Sequence, residues 1–73
     1  MKSYIKFKII ENKPKTKVWG IYNKNNGIKI GEIRWYGSWR QYCFFPEEGT
    51  LFDKTCLTDI INFINKQMEL RKK

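Results

Sequence analysis

Val18-Trp-Gly-Ile-Tyr-Asn-Lys-Asn-Asn-Gly-Ile-Lys-Ile-Gly-Glu-Ile-Arg-Trp-Tyr36 is the stretch that decides the fold. Val18 to Tyr22 reads as one strand, and Ile28 to Tyr36 as the strand that returns beside it. Between them Asn26-Gly27 marks a chain reversal, because both residues tolerate positive φ. The returning strand contains a fault. Ile28 and Ile30 share one parity, whereas Ile33 and Trp35 share the other. A bulge near Gly31 reconciles the two registers, since glycine suits the special position of such a bulge. The alternative is a sheet that buries parts of both faces.

On the N-terminal side, Ser3 to Ile10 reads as a strand with Ile5, Phe7 and Ile9 on the core face and Lys6 and Lys8 outward. A polar connection, residues 11–17, follows; Pro14 argues against a central strand there. On the C-terminal side, Gly37-Ser38 reads as a short turn and Trp39 to Phe45 as the next strand, with both of its faces heavily aromatic. Pro46-Glu-Glu-Gly49 ends it. A helix is expected from about Lys54 to Leu70. Leu57, Ile60, Ile61, Ile64 and Met68 form its apolar stripe, and Phe63 stands beside them. Asp53 or Thr55 supplies the N-cap, Asp59 complements the N-terminal dipole, and Arg71-Lys72-Lys73 complements the other end.

The expectation is an α+β fold: an antiparallel sheet of three to four strands packed on one C-terminal helix, as a single small domain over residues 1–73. Strand order stays open, because the 11–17 connection permits either a meander or a rearranged sheet. The helix covers one sheet face and leaves the other to solvent or a partner.

A chain of 73 residues excludes a two-domain enzyme. Its 16% aromatic content argues against disorder. Fifteen basic against seven acidic residues give a net charge of +8. Ten of the basic groups and only Glu11 and Glu32 lie in residues 1–45, so that part is expected to present a positive side to an anionic partner. No stretch is long and apolar enough for a transmembrane helix, and the first ten residues are too charged for a signal peptide. A cytoplasmic protein is expected, with no membrane role.

The absence of His removes Ser-His-Asp and Cys-His nucleophiles and every His-based zinc motif. Glu47 and Glu48 fall in a turn, where adjacent acids are solvated rather than poised as an acid/base pair. Cys43 and Cys56 are compatible with one bridge or with two buried thiols, and Cys56 near a helix start invites a lowered thiol pKa. No phosphate-binding glycine motif is present. Neither catalysis, metal nor cofactor is expected.

What remains is binding. Between Gly31 and Pro46, Trp35, Tyr36, Trp39, Tyr42, Phe44 and Phe45 interleave with Arg34 and Arg40, the residue types that stack on bases and contact phosphates. Core or hairpin-clamping roles suit Trp35 and Tyr42, while Trp39, beside a turn, suits recognition. The expected nucleic-acid site uses Lys6, Lys8, Lys15, Lys17 and Lys29 for phosphate attraction, with Lys13 nearby, and Arg34, Trp39 and Arg40 for closer contacts. Lysines guarding an edge strand, or meeting an acidic host-protein surface, fit the same charges.

The segment Gly31-x-Ile33-x-Trp35-Tyr36-x-x-Trp39-Arg40-x-Tyr42-Cys43-Phe44-x-Pro46, with Cys56-Leu57-x-Asp59-Ile60-x-x-Phe63-Ile64 after it, resembles short uncharacterised proteins of bacteriophages and mobile elements, notably of gut Bacteroides-type bacteria. The resemblance spans about residues 18–65 and implies a phage or mobile-element setting. It carries no established activity and hence no functional residue. In outline the expected sheet and helix are also similar to the arm-binding DNA domains of some integrases, a likeness of fold alone. A phage accessory protein that binds or inhibits a host protein is the alternative expectation to nucleic-acid binding.

Overall fold

The computed structural model describes residues 4–71. Lys2, the expected strand start at Ser3, and the tail residues Lys72 and Lys73 lie outside the described residues. Four strands, β1 (Ile5–Asn12), β2 (Lys17–Asn23), β3 (Lys29–Tyr36) and β4 (Gln41–Pro46), precede one helix, α1 (Lys54–Arg71). The sheet is an antiparallel meander in the order β1-β2-β3-β4. The long first connection therefore joins neighbours and does not rearrange them.

Of the three hairpins, β2–β3 and β3–β4 share the strand β3. In the β2–β3 loop, the Gly27 N–H donates to the Asn23 carbonyl at 2.8 Å, and Gly27 has φ 73°. The Asn23 and Asn26 side chains accept from the N–H groups of Asn25 and Ile28 at 2.7 and 2.9 Å. The β3–β4 loop is longer than the expected Gly37-Ser38 turn and takes in Trp39 and Arg40 as well. The Trp39 N–H turns back to the Tyr36 carbonyl at 3.2 Å, and Arg40 has φ 54°. Neither residue can therefore extend a ladder, so β4 begins at Gln41 rather than Trp39.

The fault in β3 is a bulge. Pairing passes from Ile21↔Gly31 to Tyr22↔Lys29, so Ile30 is the extra residue and packs against the core with Ile33 and Trp35. Ile28 stays exposed. Gly31 does not fill the special bulge position. Its role is space, because a Cβ there would lie 2.7 Å from the Phe44 ring. A second bulge, unannounced by any glycine, falls at Ile10, where pairing jumps from Ile9↔Trp19 to Glu11↔Val18.

Ile5, Trp19, Ile21, Ile33, Tyr42 and Ile60 form the buried core. Ile21 and Ile33 are fully buried, each side chain contributing about 1.5–3 kcal/mol. The helix starts on Asp53, whose carboxylate accepts the Cys56 N–H at 2.8 Å. That bond holds the Asp53 carboxyl below its usual pKa and selects Asp53 over Thr55 as the cap. The packed helix face is rotated from the expected stripe. Cys56, Ile60, Phe63, Ile64 and Met68 pack, whereas Leu57 and Ile61 are 42% and 57% exposed. Phe63 sets the rotation: it stacks on Phe7 at 4.0 Å and meets Trp19 edge-on at 5.1 Å. Those ring contacts outweigh the aliphatic pair turned aside. Beyond Phe63 the helix meets Tyr42 and Trp35 through Met68 and Arg71, on β4 and β3. The far part of β1 is thus uncovered, and Ile9, expected in the core, is 53% exposed.

Cys43 sits opposite Arg34 on the uncovered sheet face, while Cys56 packs with the helix beneath the other face. The sheet separates them and both are free thiols. Burial, followed by the Asp53 carboxylate, raises the Cys56 pKa instead of lowering it. No described helix is long and apolar enough to cross a membrane.

Candidate nucleic-acid interface

Alternation on an antiparallel sheet decides which side chains share the uncovered face. The register places Lys6 and Lys8 of β1, Tyr22 of β2, Lys29, Glu32, Arg34 and Tyr36 of β3, and Cys43 and Phe45 of β4 there. Lys6 and Lys8 thus point outward, as expected, and Lys8 lies 5.9 Å from the Tyr22 ring centre. Neither lysine has an ion pair among the described residues.

Lys29 and Arg34 stand on the same face but are already engaged. Lys29 hydrogen-bonds Glu32 and lies 3.9 Å from Glu47, and Arg34 lies 3.5 Å from Glu32. The Glu32 hydrogen bond raises the Lys29 pKa, against a smaller opposing effect of burial. The bulge explains the pairing. Without the extra Ile30, positions 29 and 32 would face opposite sides of the strand.

Lys15, Lys17, Trp39 and Arg40 lie elsewhere. In an up-and-down sheet the β1–β2 and β3–β4 loops emerge at the same end, and α1 runs back to finish there. Arg71 documents this closure: its guanidinium lies 3.9 Å over the Trp35 ring and donates to the Lys15 carbonyl at 2.7 Å. That end carries Lys13, Lys15, Lys17, Arg40 and Arg71, with two carboxylates near them: Glu11, 3.9 Å from Lys13, and Glu69 in the last turn of α1. Glu11 and Lys13 are both half exposed, so the contact binds the lysine weakly. The opposite end gathers Glu47, Glu48 and Asp53 against Lys24 and Lys54. Charge is therefore divided along the strands, between the two ends of the sheet, rather than between the two halves of the chain.

The eight expected residues thus fall into three groups: Lys6 and Lys8 on the open face, Lys29 and Arg34 in ion pairs, and Lys15, Lys17, Trp39 and Arg40 at the cationic end. Two shallow grooves flank the Lys13–Lys17 loop. One, of about 290 Å³, lies on the helix side among Lys15, Lys17, Gln67 and Arg71. The other, of about 340 Å³, lies on the open side, lined by Lys13, Thr16, Val18, Arg34, Tyr36 and Phe45. Trp39 is 67% exposed and meets Tyr36 edge-on at 5.1 Å. Trp35 and Tyr42 take core positions, meeting each other edge-on at 5.3 Å. Sequence reasoning missed Tyr36 and Arg71 as members of this end, and Phe45 as a wall of the open-side groove. The parity of Tyr36 with Arg34 was the available signal. Among the described residues, no three acidic or thiol side chains converge as metal ligands.

With this geometry described, the chain can be placed in a class: it belongs to a family of small phage proteins. Its relative there is the "Uncharacterized 9.3 kDa protein" of Acholeplasma phage L2, 36% identical over 52 residues that cover 71% of this chain and 67% of the relative. The phage setting expected from the resemblance stands. This relative does not speak for a gut Bacteroides-type host, nor for the aromatic segment on which the resemblance was drawn. No family model matches the chain, and no solved structure does.

Proposed function

We propose that the protein is a non-catalytic nucleic-acid-binding protein that uses the cationic end of its sheet as the contact surface. The observation that carries this reading is the convergence of five cations, Lys13, Lys15, Lys17, Arg40 and Arg71, at one end against two carboxylates, Glu11 and Glu69. Such a cluster attracts phosphates and releases their counterions, which gives affinity that falls with salt. Lys6 and Lys8 extend the positive surface along β1. Lys29 and Arg34 contribute less than the sequence suggests, because Glu32 offsets them.

Fluorescence anisotropy against single-stranded DNA, duplex DNA and RNA at two salt concentrations tests the reading. Binding at about micromolar concentration or tighter is expected at low salt. The double change Lys15→Ala/Lys17→Ala should weaken every nucleic acid similarly and reduce the salt slope by about one for each phosphate contact removed. A folded protein that binds none of the three at low salt overturns it.

A second reading, a phage accessory protein that binds or inhibits a host protein, draws on a different surface. Leu57 and Ile61 lie exposed on the flank of α1, and β4 is an edge strand open to strand addition. Changing Leu57 and Ile61 together to Ser should abolish capture of a host protein and leave nucleic-acid binding intact.

A further inference from the structure

We infer that the open-side groove and the β3–β4 loop form a site for unpaired nucleotides, with bases stacking on Trp39 and Tyr36 and phosphates held by Lys13 and Arg40. The inference rests on the proposed nucleic-acid reading and adds which form of nucleic acid this surface takes.

Three observations carry it. First, Trp39 is 67% exposed, and among the described residues its one ring partner is Tyr36, met edge-on. An edge-on contact braces the indole through its neighbour and leaves indole surface free to stack on a base. Second, Tyr36 and Phe45, 40% and 39% exposed, line the neighbouring groove. Three half-bare aromatic rings therefore lie along one hairpin. Third, each is accompanied by a cation: Arg40 follows Trp39 in the loop, and Lys13 lines the groove with Tyr36 and Phe45, where Arg34 is already shared with Glu32. Alternating aromatic and cationic groups fit a single strand, whose bases and phosphates are both accessible. A duplex hides its base faces and would use the cations alone.

The loop backbone points the same way. Arg40 holds φ 54°, a region that disfavours side chains with a Cβ, and among the described residues its side chain has no hydrogen bond, ion pair or ring contact to repay the strain. The guanidinium is displayed at a cost to the fold.

The test uses the full chain and three labelled probes: a short oligothymidylate, the matching oligouridylate and a duplex of equal length. The wild type should prefer the single strands. Trp39→Ala should weaken single-strand binding by about tenfold and duplex binding by less than about twofold. Trp39→Phe should recover most of the loss, since phenylalanine also offers a stacking face. Preference between the thymidylate and uridylate probes tells a DNA source of the unpaired strand from an RNA one. Equal losses on single strands and duplex, or no loss on either, overturn the stacking site while Lys15→Ala/Lys17→Ala still reports on phosphate binding. If the wild type binds no probe, the nucleic-acid reading itself falls. Trp39 lies outside the core and is 67% exposed, so an unchanged melting temperature should accompany each result and separate it from misfolding.

Discussion

The β2–β3 loop, residues 24–28, and the β3–β4 loop, residues 37–40, each hold one left-handed residue, yet they treat that geometry in opposite ways. In residues 24–28 the left-handed position is Gly27, and the Asn23 and Asn26 side chains are consumed by the loop's own N–H groups. In residues 37–40 the same position is Arg40, no side chain hydrogen-bonds the loop backbone, and Trp39 projects into solvent. One loop closes the chain at low cost. The other spends stability to display an aromatic ring and a guanidinium. The difference also follows the charge: the self-contained loop lies at the mixed-charge end, the strained one at the cationic end. Strain kept where it serves no packing purpose is a pointer to function.

Replacing side chains at matched positions can break this comparison. The strand common to both hairpins sets the scale. Ile33→Ala, at a fully buried site, should cost about 2–5 kcal/mol in chemical denaturation. Binding by the molecules that remain folded should be unchanged. Gly27→Val should cost about 1–2 kcal/mol. Its Cβ would meet nothing within 4 Å, so the loss measures backbone strain alone, and affinity should not move. Arg40→Gly is the mirror experiment. It should relieve about 1–2 kcal/mol of left-handed strain. Glycine's greater freedom in the unfolded chain offsets about 0.5–1 kcal/mol of that. A small net gain in stability should result, while single-strand binding weakens severalfold. If Arg40→Gly fails to stabilise, the claim that this loop carries strain is wrong. If it stabilises without loss of affinity, the strain has another purpose.

Much of this architecture is legible in the sequence, because alternation and a 3.6-residue period are dictated by burial on one face. The five elements fall at the expected places within a few residues. What periodicity cannot see is ring geometry and local slippage. Leu57 and Ile61 match the helical stripe as well as any residue, yet Phe63 turns the helix toward Phe7 and Trp19. Trp39 and Arg40 continue an aromatic alternation, so they read as strand until the hydrogen bond from Trp39 to Tyr36 folds them into the loop. The site suffers most from the bulges. A single inserted residue at Ile30 brings Lys29 onto the face of Glu32 and converts an expected phosphate ligand into an ion-paired one. Ile10 inserts a second shift with no glycine or proline to announce it. The clustering of Lys15, Lys17, Trp39 and Arg40 needed the strand order, which the connection lengths alone left open.

The smallest effect separates strain from charge. Neither loop contains a carboxylate, so the stability difference between wild type and Arg40→Gly should stay constant as pH falls from neutral into the acid range. The helix cap behaves otherwise. The Asp53 carboxyl is held below its usual pKa chiefly by the Cys56 N–H, so its contribution is complete above the ordinary carboxylate range. That contribution disappears as pH falls through the lowered folded value. Asp53→Ala should therefore melt below the wild type at neutral pH, with the gap narrowing toward zero in acid. A gap for Arg40→Gly that closed over the same interval would mean that Arg40 acts through a carboxylate partner rather than through its backbone. The comparison of the two loops would then rest on electrostatics, and the argument from strain to function at residues 37–40 would fail.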